Sequence, residues 1–215
     1  MRSILSFVTS IMALAACGEG HAAAVDSARA DSLARARQDS INRAQPGYIV
    51  DSILPMEEQL RRFRAGLTRE PKELVGGEES MNALVTSFVR SLVAADTAEL
   101  IRLTITRAEF AYLVFPESPF SRAPYVQSPD LVWMRHTHAS GKGLKRLLDR
   151  FGRTNWVFRS WNCDRKPGVE GKNRVFVGCT VSIATRYSEP RTLSLFSSII
   201  ERGGRYKILS YDNAF

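Results

Sequence analysis

The hydrophobic period changes along this chain, and that change constrains its fold more than any other feature. Between Ser80 and Phe151 apolar residues recur mostly at helical spacing; between Trp156 and Tyr211 they alternate. Ser80–Ala95 puts Leu84, Phe88 and Leu92 on one stripe, with Val85, Val89 and Val93 beside it. Asp96-Thr97-Ala98-Glu99 and Thr106-Arg107-Ala108-Glu109 carry a capping-box order, in which cap side chain and third-position carboxylate satisfy each other's amides. Pro116 ends the third of these helices. The segment 116–129 reads as a proline-marked loop and Leu131-Val132-Trp133-Met134 as a short strand. Ser140 then caps a helix whose apolar face is Leu144, Leu147, Leu148 and Phe151, closed by Gly152. Four strands follow: Trp156–Asn162, Arg174–Ala184, Thr192–Glu201 and Arg205–Tyr211, the last two joined by a tight Arg202-Gly203-Gly204 turn. Helices first and an antiparallel meander last define an α+β protein rather than alternating βα units.

Upstream of this body the composition turns polar. Residues 18–50 are rich in Ala, Ser, Asp and Arg, and Leu33 and Ile41 are too sparse to define a buried stripe. Asp31/Arg35 and Asp39/Arg43 stand four apart, the spacing of ion pairs on a solvated helix. This stretch reads as a partly helical tether. Met56, Leu60 and Phe63 share one helical face within a linker helix that can dock on the body or on another protein, and Gly76-Gly77 marks the boundary. The expected organisation is a leader (1–16), an anchor and tether (17–50), a linker helix (51–77) and a body (78–215).

The N-terminus locates the chain. A short apolar run, Ile4–Leu14, precedes Leu14-Ala15-Ala16-Cys17. It is too short to span a bilayer. The order resembles the lipobox of bacterial lipoproteins. That resemblance implies diacylation of the Cys17 sulfur, removal of residues 1–16 and acylation of the new N-terminus. Gly18 after the cysteine leans, in the resembled proteins, toward the outer membrane, with the body on its periplasmic face. Plain signal-peptide cleavage is the alternative.

Export bears on the other cysteines and on partners. Cys163 and Cys179 remain as an even pair in an oxidising compartment, expected as a disulfide across a 165–173 hairpin loop; two buried thiols are the rival reading. The chain carries a net charge of +8, of which 71–215 holds +7 (21 basic, 14 acidic). A basic exported body suits anionic envelope partners. A nucleic-acid partner is not expected, since no recognition motif accompanies the export signal.

The element order over about 78–215, with Ala94-Ala95-Asp96 closing the first helix and Tyr206-Lys207-Ile208-Leu209-Ser210-Tyr211 closing the meander, is similar to the NTF2-like (SnoaL, ketosteroid-isomerase) superfamily. The resemblance implies a strongly bent sheet wrapped around helices as a cone with an open pocket. It spans isomerases, dehydratases and non-catalytic binding domains, so it fixes no function. Catalytic members place an Asp or His base inside the cone, and no local motif carries those positions over.

Candidate site residues follow from residue chemistry. His136 and His138, on one face of the expected strand, could serve as a base or share a metal with Asp130 or Asp212, although zinc usually needs three or four ligands and surface histidines are the plainer reading. Asp212 could sit at a pocket rim. Tyr112, Tyr125, Trp133, Trp156 and Tyr211 could line an apolar cavity, while Trp161 has the opposite parity to Trp156. Arg107 or Arg159 could hold a carboxylate. Glu109 and Asp96 are explained by capping. Ser140-Gly141-Lys142-Gly143 precedes a helix and could present amide groups to an anion, although it lacks the full phosphate-loop spacing. No cofactor or metal is expected. The leading expectation is a lipid-anchored binding domain for a small apolar or anionic ligand or a cell-envelope protein; the alternative is an acid–base enzyme of isomerase or dehydratase type.

Overall fold

The computed structural model describes residues 19–45, 54–163 and 166–213, with the backbone alone over 19–28. Cys17, the expected leader and residues 46–53 lie outside them. The chain divides into two units, Met1–Ile53 and Leu54–Phe215.

In the first unit, α1 (Glu19–Arg43) is a single helix of 25 residues. Alanine and arginine favour helix, and Arg43 pairs with Asp39 at 2.7 Å. Leu33 and Ile41 stay exposed. No helix among the described residues is long and apolar enough to cross a membrane.

The second unit begins at Leu54, upstream of the boundary expected at residue 78. Its first helix, α2 (Met56–Arg64), has acidic residues in its first turn and basic ones in its last, complementing the backbone dipole. It docks on the body through Phe63, whose ring meets Phe110 edge-on at 5.7 Å. Next, α3 (Met81–Ala94) is capped by Ser80 and buries Leu84, Phe88 and Leu92 as the pattern requires. Asp96 caps α4 (Thr97–Arg102), and a complete Thr106/Glu109 capping box opens α5 (Arg107–Glu109). That helix continues as a π-turn, Phe110–Val114, before Pro116.

The expected strand at 131–134 is instead part of α6 (Pro129–Phe151). Ser128 accepts a hydrogen bond from the Leu131 amide, and Pro129 occupies the first turn, where its missing N–H costs nothing. Ser140 therefore sits inside the helix. The amides of Ser140-Gly141-Lys142-Gly143 lie inside the helical ladder, and the anion-site expectation fails. Gly143 serves packing: a Cβ there would stand 1.7 Å from the Tyr211 carbonyl oxygen.

Seven strands form two antiparallel sheets: β1 (Val157–Cys163), β2 (Gly168–Glu170), β3 (Asn173–Val177), β4 (Cys179–Ala184), β5 (Arg191–Leu193), β6 (Ser198–Arg202) and β7 (Arg205–Ser210). Their orders are β1-β4-β5 and β2-β3-β6-β7. Two expected strands thus split. Arg174–Ala184 breaks at Gly178 (φ +65°), and Thr192–Glu201 breaks over Ser194–Ser197, so each contributes to both sheets. The segment expected as a loop over 165–173 instead carries the β2–β3 hairpin. Gly203 and Gly204, both at positive φ, make the β6–β7 turn.

Cys163 and Cys179 face each other across β1 and β4 and form the expected disulfide. The parity conflict between Trp156 and Trp161 is resolved by a β-bulge between Phe158 and Ser160. The extra residue lets Trp156, Phe158, Trp161 and Cys163 all pack on the same core.

The core has two parts. The larger joins α3 and α6 to one face of each sheet, through Val181 and Ile183 on β4 and Ile199 and Ile208 on β6 and β7. The smaller lies beyond the β6–β7 face, where Phe63, Leu74, Phe110 and Phe115 meet Ile200. The β2-β3-β6-β7 sheet is covered on both faces at its centre, and four of the five residues of β6 are buried.

Candidate functional site

Both ends of β7 are engaged by earlier segments. Glu78 and Tyr206 exchange amide hydrogen bonds, and Leu103 and Ile105 bond to the main chain of Ile208. The second contact brings the α4–α5 connection alongside β7, opposite α6. Between Ile101–Arg107 and α6 a cleft of about 420 Å³ opens. It is the best candidate site, because it gathers Trp133, His136, Tyr211 and Arg107 from the expected set.

On α6 the lining residues are Trp133, His136, Thr137, Ser140, Gly141 and Leu144, one face of a continuous helix. Ile105 and Tyr211 form the buried floor, and Ile101 stands exposed at the opposite lip. Phe110, the first residue of the π-turn, lies behind the wall. Its ring is 5.0 Å from Trp133, and Trp133 stacks on His136 at 5.2 Å and 19°. Single π-turns inside helices are frequent at functional sites.

The polar groups of the cleft are mostly committed. Thr104 donates to Ile101 O at 2.8 Å and Thr137 to Trp133 O at 3.0 Å. Thr106 Oγ1 accepts from the Glu109 amide, and Ser140 Oγ accepts from the Tyr211 amide. The Tyr211 hydroxyl donates to Leu100 O at 2.7 Å, away from any proton-transfer role. Its burial pushes the phenol's pKa up. Arg107 lies over the Phe63 ring and donates to Phe63 O at 3.3 Å. His136 is the exception: among the described residues it makes ring contacts and no hydrogen bond. Burial holds its pKa down at about 4, so the imidazole is neutral at pH 7, with one donor and one acceptor nitrogen.

The other expected residues scatter. His138 is exposed on the solvent face of α6, two helical positions from His136, and the shared face expected from strand alternation does not exist. Asp130 is in the first turn of that helix. Asp212 lines a separate depression of about 270 Å³ beside Gly178, Ser194 and Phe196, with Arg146 at 3.9 Å. Tyr112 lies under the Arg64 guanidinium at 4.3 Å, Tyr125 is exposed, and Arg159 is exposed at the β1 bulge. Trp156 belongs to a groove between α3 and β1. No group of three His, Cys, Asp or Glu residues able to hold a metal occurs among the described residues.

Reading 129–151 as one helix from its Ser-Pro-Asp start would have exposed the cleft stripe, including Thr137 and Leu144. The sequence also hid Lys207. Its ammonium and the Glu109 carboxylate are each 1% exposed and meet at 3.0 Å. Glu109 further accepts from the Val75 and Thr106 amides, both at 2.7 Å. This buried pair joins α5 to β7, and among the described residues no buried side-chain polar atom lacks a partner. Burial draws the Lys207 pKa down, while Glu109 opposes that shift.

No family model, no curated protein and no solved structure matches this chain.

Proposed function

We propose that residues 54–215 are a non-catalytic binding domain of the NTF2-like type, holding a small, largely apolar ligand in the α6 cleft. The carrying observation is the polar inventory of that cleft: Thr104, Thr137 and Tyr211 turn their hydroxyl protons to backbone carbonyls, Thr106 and Ser140 accept backbone amides, and one neutral imidazole stands among largely apolar walls. Such a surface suits a flat or alicyclic molecule with one hydrogen-bonding group. Arg107 at the mouth suits a carboxylate on that molecule. The NTF2-like reading draws support from the paired strand breaks at Gly178 and Ser194–Ser197, where a bent sheet needs its corner. We further propose that Cys17 is acylated and that α1 holds the domain off the periplasmic face of the outer membrane. A cell-envelope protein is the second partner class for the same domain.

An acid–base enzyme has one observation in its favour, a histidine in a pocket. His136 at a pKa of about 4 is a weak base, no carboxylate lines the cleft with it, and the Tyr211 hydroxyl is turned to Leu100 O. Binding is the better-supported reading.

The test uses 1-anilinonaphthalene-8-sulfonate as an apolar, anionic probe. Saturable fluorescence enhancement by the full chain is expected, lost in Leu144→Trp, which fills the cleft, and weakened in His136→Ala. Equal probe binding by Leu144→Trp would remove the cleft from consideration. Intact mass of membrane-extracted protein tests the anchor; an unmodified Cys17 refutes it.

A further inference from the structure

Large apolar side chains exposed on the body are not evenly spread. Five of them, Phe120, Tyr125, Val126, Leu131 and Met134, fall within fifteen consecutive residues. Tyr125 is 63% exposed and Met134 59%. The segment is ordered against α6. The Gln127 amide donates to Phe120 O at 2.9 Å, Tyr125 closes a turn on Arg122, and Arg135 on α6 donates to the Gln127 side chain. Ser128 then caps the helix, so the loop and the first turns of α6 form one surface.

Helical geometry continues that surface. At about 100° per residue, Leu131, Met134, His138, Lys142 and Lys145 fall within roughly 80° of one another on the side of α6 away from the core. The stripe runs from apolar to basic. Across α6 there are five Lys/Arg and two Asp, and one of those aspartates, Asp149, is paired with Lys145 at 2.6 Å. Arg122 and Arg135 flank the apolar end. A contiguous apolar patch on a soluble body marks an interaction site. The pairing of apolar side chains with a basic face, including a tyrosine whose ring and hydroxyl suit opposite sides of an interface, matches the chemistry of an anionic lipid surface.

We propose that the 118–128 loop and the solvent face of α6 dock directly on an anionic bilayer surface, with Tyr125, Val126, Leu131 and Met134 entering the boundary between headgroups and acyl chains. Arg122, Arg135 and Lys142 then meet lipid phosphates. The lip residues Thr137 and Gly141 of the cleft lie next to this stripe on α6, so the docked body presents its cleft beside the bilayer. An apolar ligand dissolved in the membrane would enter from that side. The docking contact itself depends neither on acylation of Cys17 nor on the ligand.

The experiment adds the full chain to vesicles of phosphatidylcholine alone or mixed with phosphatidylglycerol and follows amide hydrogen exchange. Exchange over residues 118–128 is expected to slow about fivefold or more on the anionic vesicles, to recover in high salt and to remain unchanged on the zwitterionic ones. The exposed triple variant Val126→Ser/Leu131→Ser/Met134→Ser should lose that protection while its β6 and β7 amides exchange as in the parent, which shows the fold intact. The proposal is overturned if neither vesicle slows exchange, if the variant is protected as well as the parent, or if protection follows protein density rather than lipid charge, as a contact between copies would. Loss of probe binding in the cleft with docking retained would instead strike the ligand reading alone.

Discussion

The two sheets are built from partly the same stretches of chain, yet they live in different environments. At the centre of β2-β3-β6-β7 one face meets α3 and α6, and the other meets α2, α5 and the π-turn. In β1-β4-β5 the inward face carries Trp161, Val181 and Leu193 in register, while the other carries Ser160, Ser182 and Thr192. The difference shows where burial forces exact pairing of polar groups. In the doubly covered sheet Lys207, directly opposite Ile200, has no route to water and must meet Glu109. On the open face of the other sheet, serine and threonine remain close to solvent and cost little.

The largest effect is expected on removing one partner of the buried pair. Lys207→Met leaves the Glu109 carboxylate among apolar side chains and should cost about 3–5 kcal/mol in urea unfolding. A loss below about 1 kcal/mol would mean that the inner sheet is as forgiving as the outer one. Gly143→Ala tests the same tight region from the helix side. With the Tyr211 carbonyl 1.7 Å from the new Cβ, α6 and the end of β7 must separate, at a cost of about 3 kcal/mol. Replacing both Cys163 and Cys179 by Ser probes the open sheet; closing that loop is worth about 3 kcal/mol. Exchange should quicken first in β1, with β6 and β7 less affected.

A smaller effect is pH-dependent and belongs to the cleft. The folded-state pKa of His136 is about 4, below the ordinary 6.5 of the unfolded chain. Above pH 6.5 both states are neutral, and the group adds no pH dependence. Between pH 6.5 and 4 the unfolded chain binds the proton first, so stability falls as pH falls and levels off below pH 4. His136→Phe should remove that slope in urea midpoints measured across the window. Smallest of all, Ser182→Val on the open face should change stability by no more than about 0.5 kcal/mol.

Much of the helical half was legible because its signals are local. Ser80, Asp96 and the Thr106/Glu109 box each sit where their side chains cap a helix, and the Leu84–Phe88–Leu92 stripe is buried as its spacing requires. The α6 start departs from the expected strand for a physical reason. Four consecutive apolar residues, Leu131–Met134, look like a buried strand, and two glycines further on weaken a helix; the Ser128-Pro129 cap and dense contacts at Gly143 decide otherwise. Strand breaks at Gly178 and Ser194–Ser197 were invisible because alternation continues on both sides of each. The cleft was half legible: its aromatic and imidazole residues stood out by type, whereas Thr137 and Leu144 join it only once α6 is continuous. Lys207 was hidden because alternation marks one face as outward, and only the arrival of α2 and α5 from earlier in the chain turns that face inward.

The paired interruptions have a mechanical consequence. Covalent chain runs from β3 into β4 and from β5 into β6, and Gly178, Ser194 and Ser197 line one depression, so two continuous stretches stitch the sheets together at a common seam. Tension applied to either sheet passes through peptide bonds to the other, not through side-chain contacts alone. Heating should therefore melt the body in one step, with the seam as a hinge line that bends but does not part.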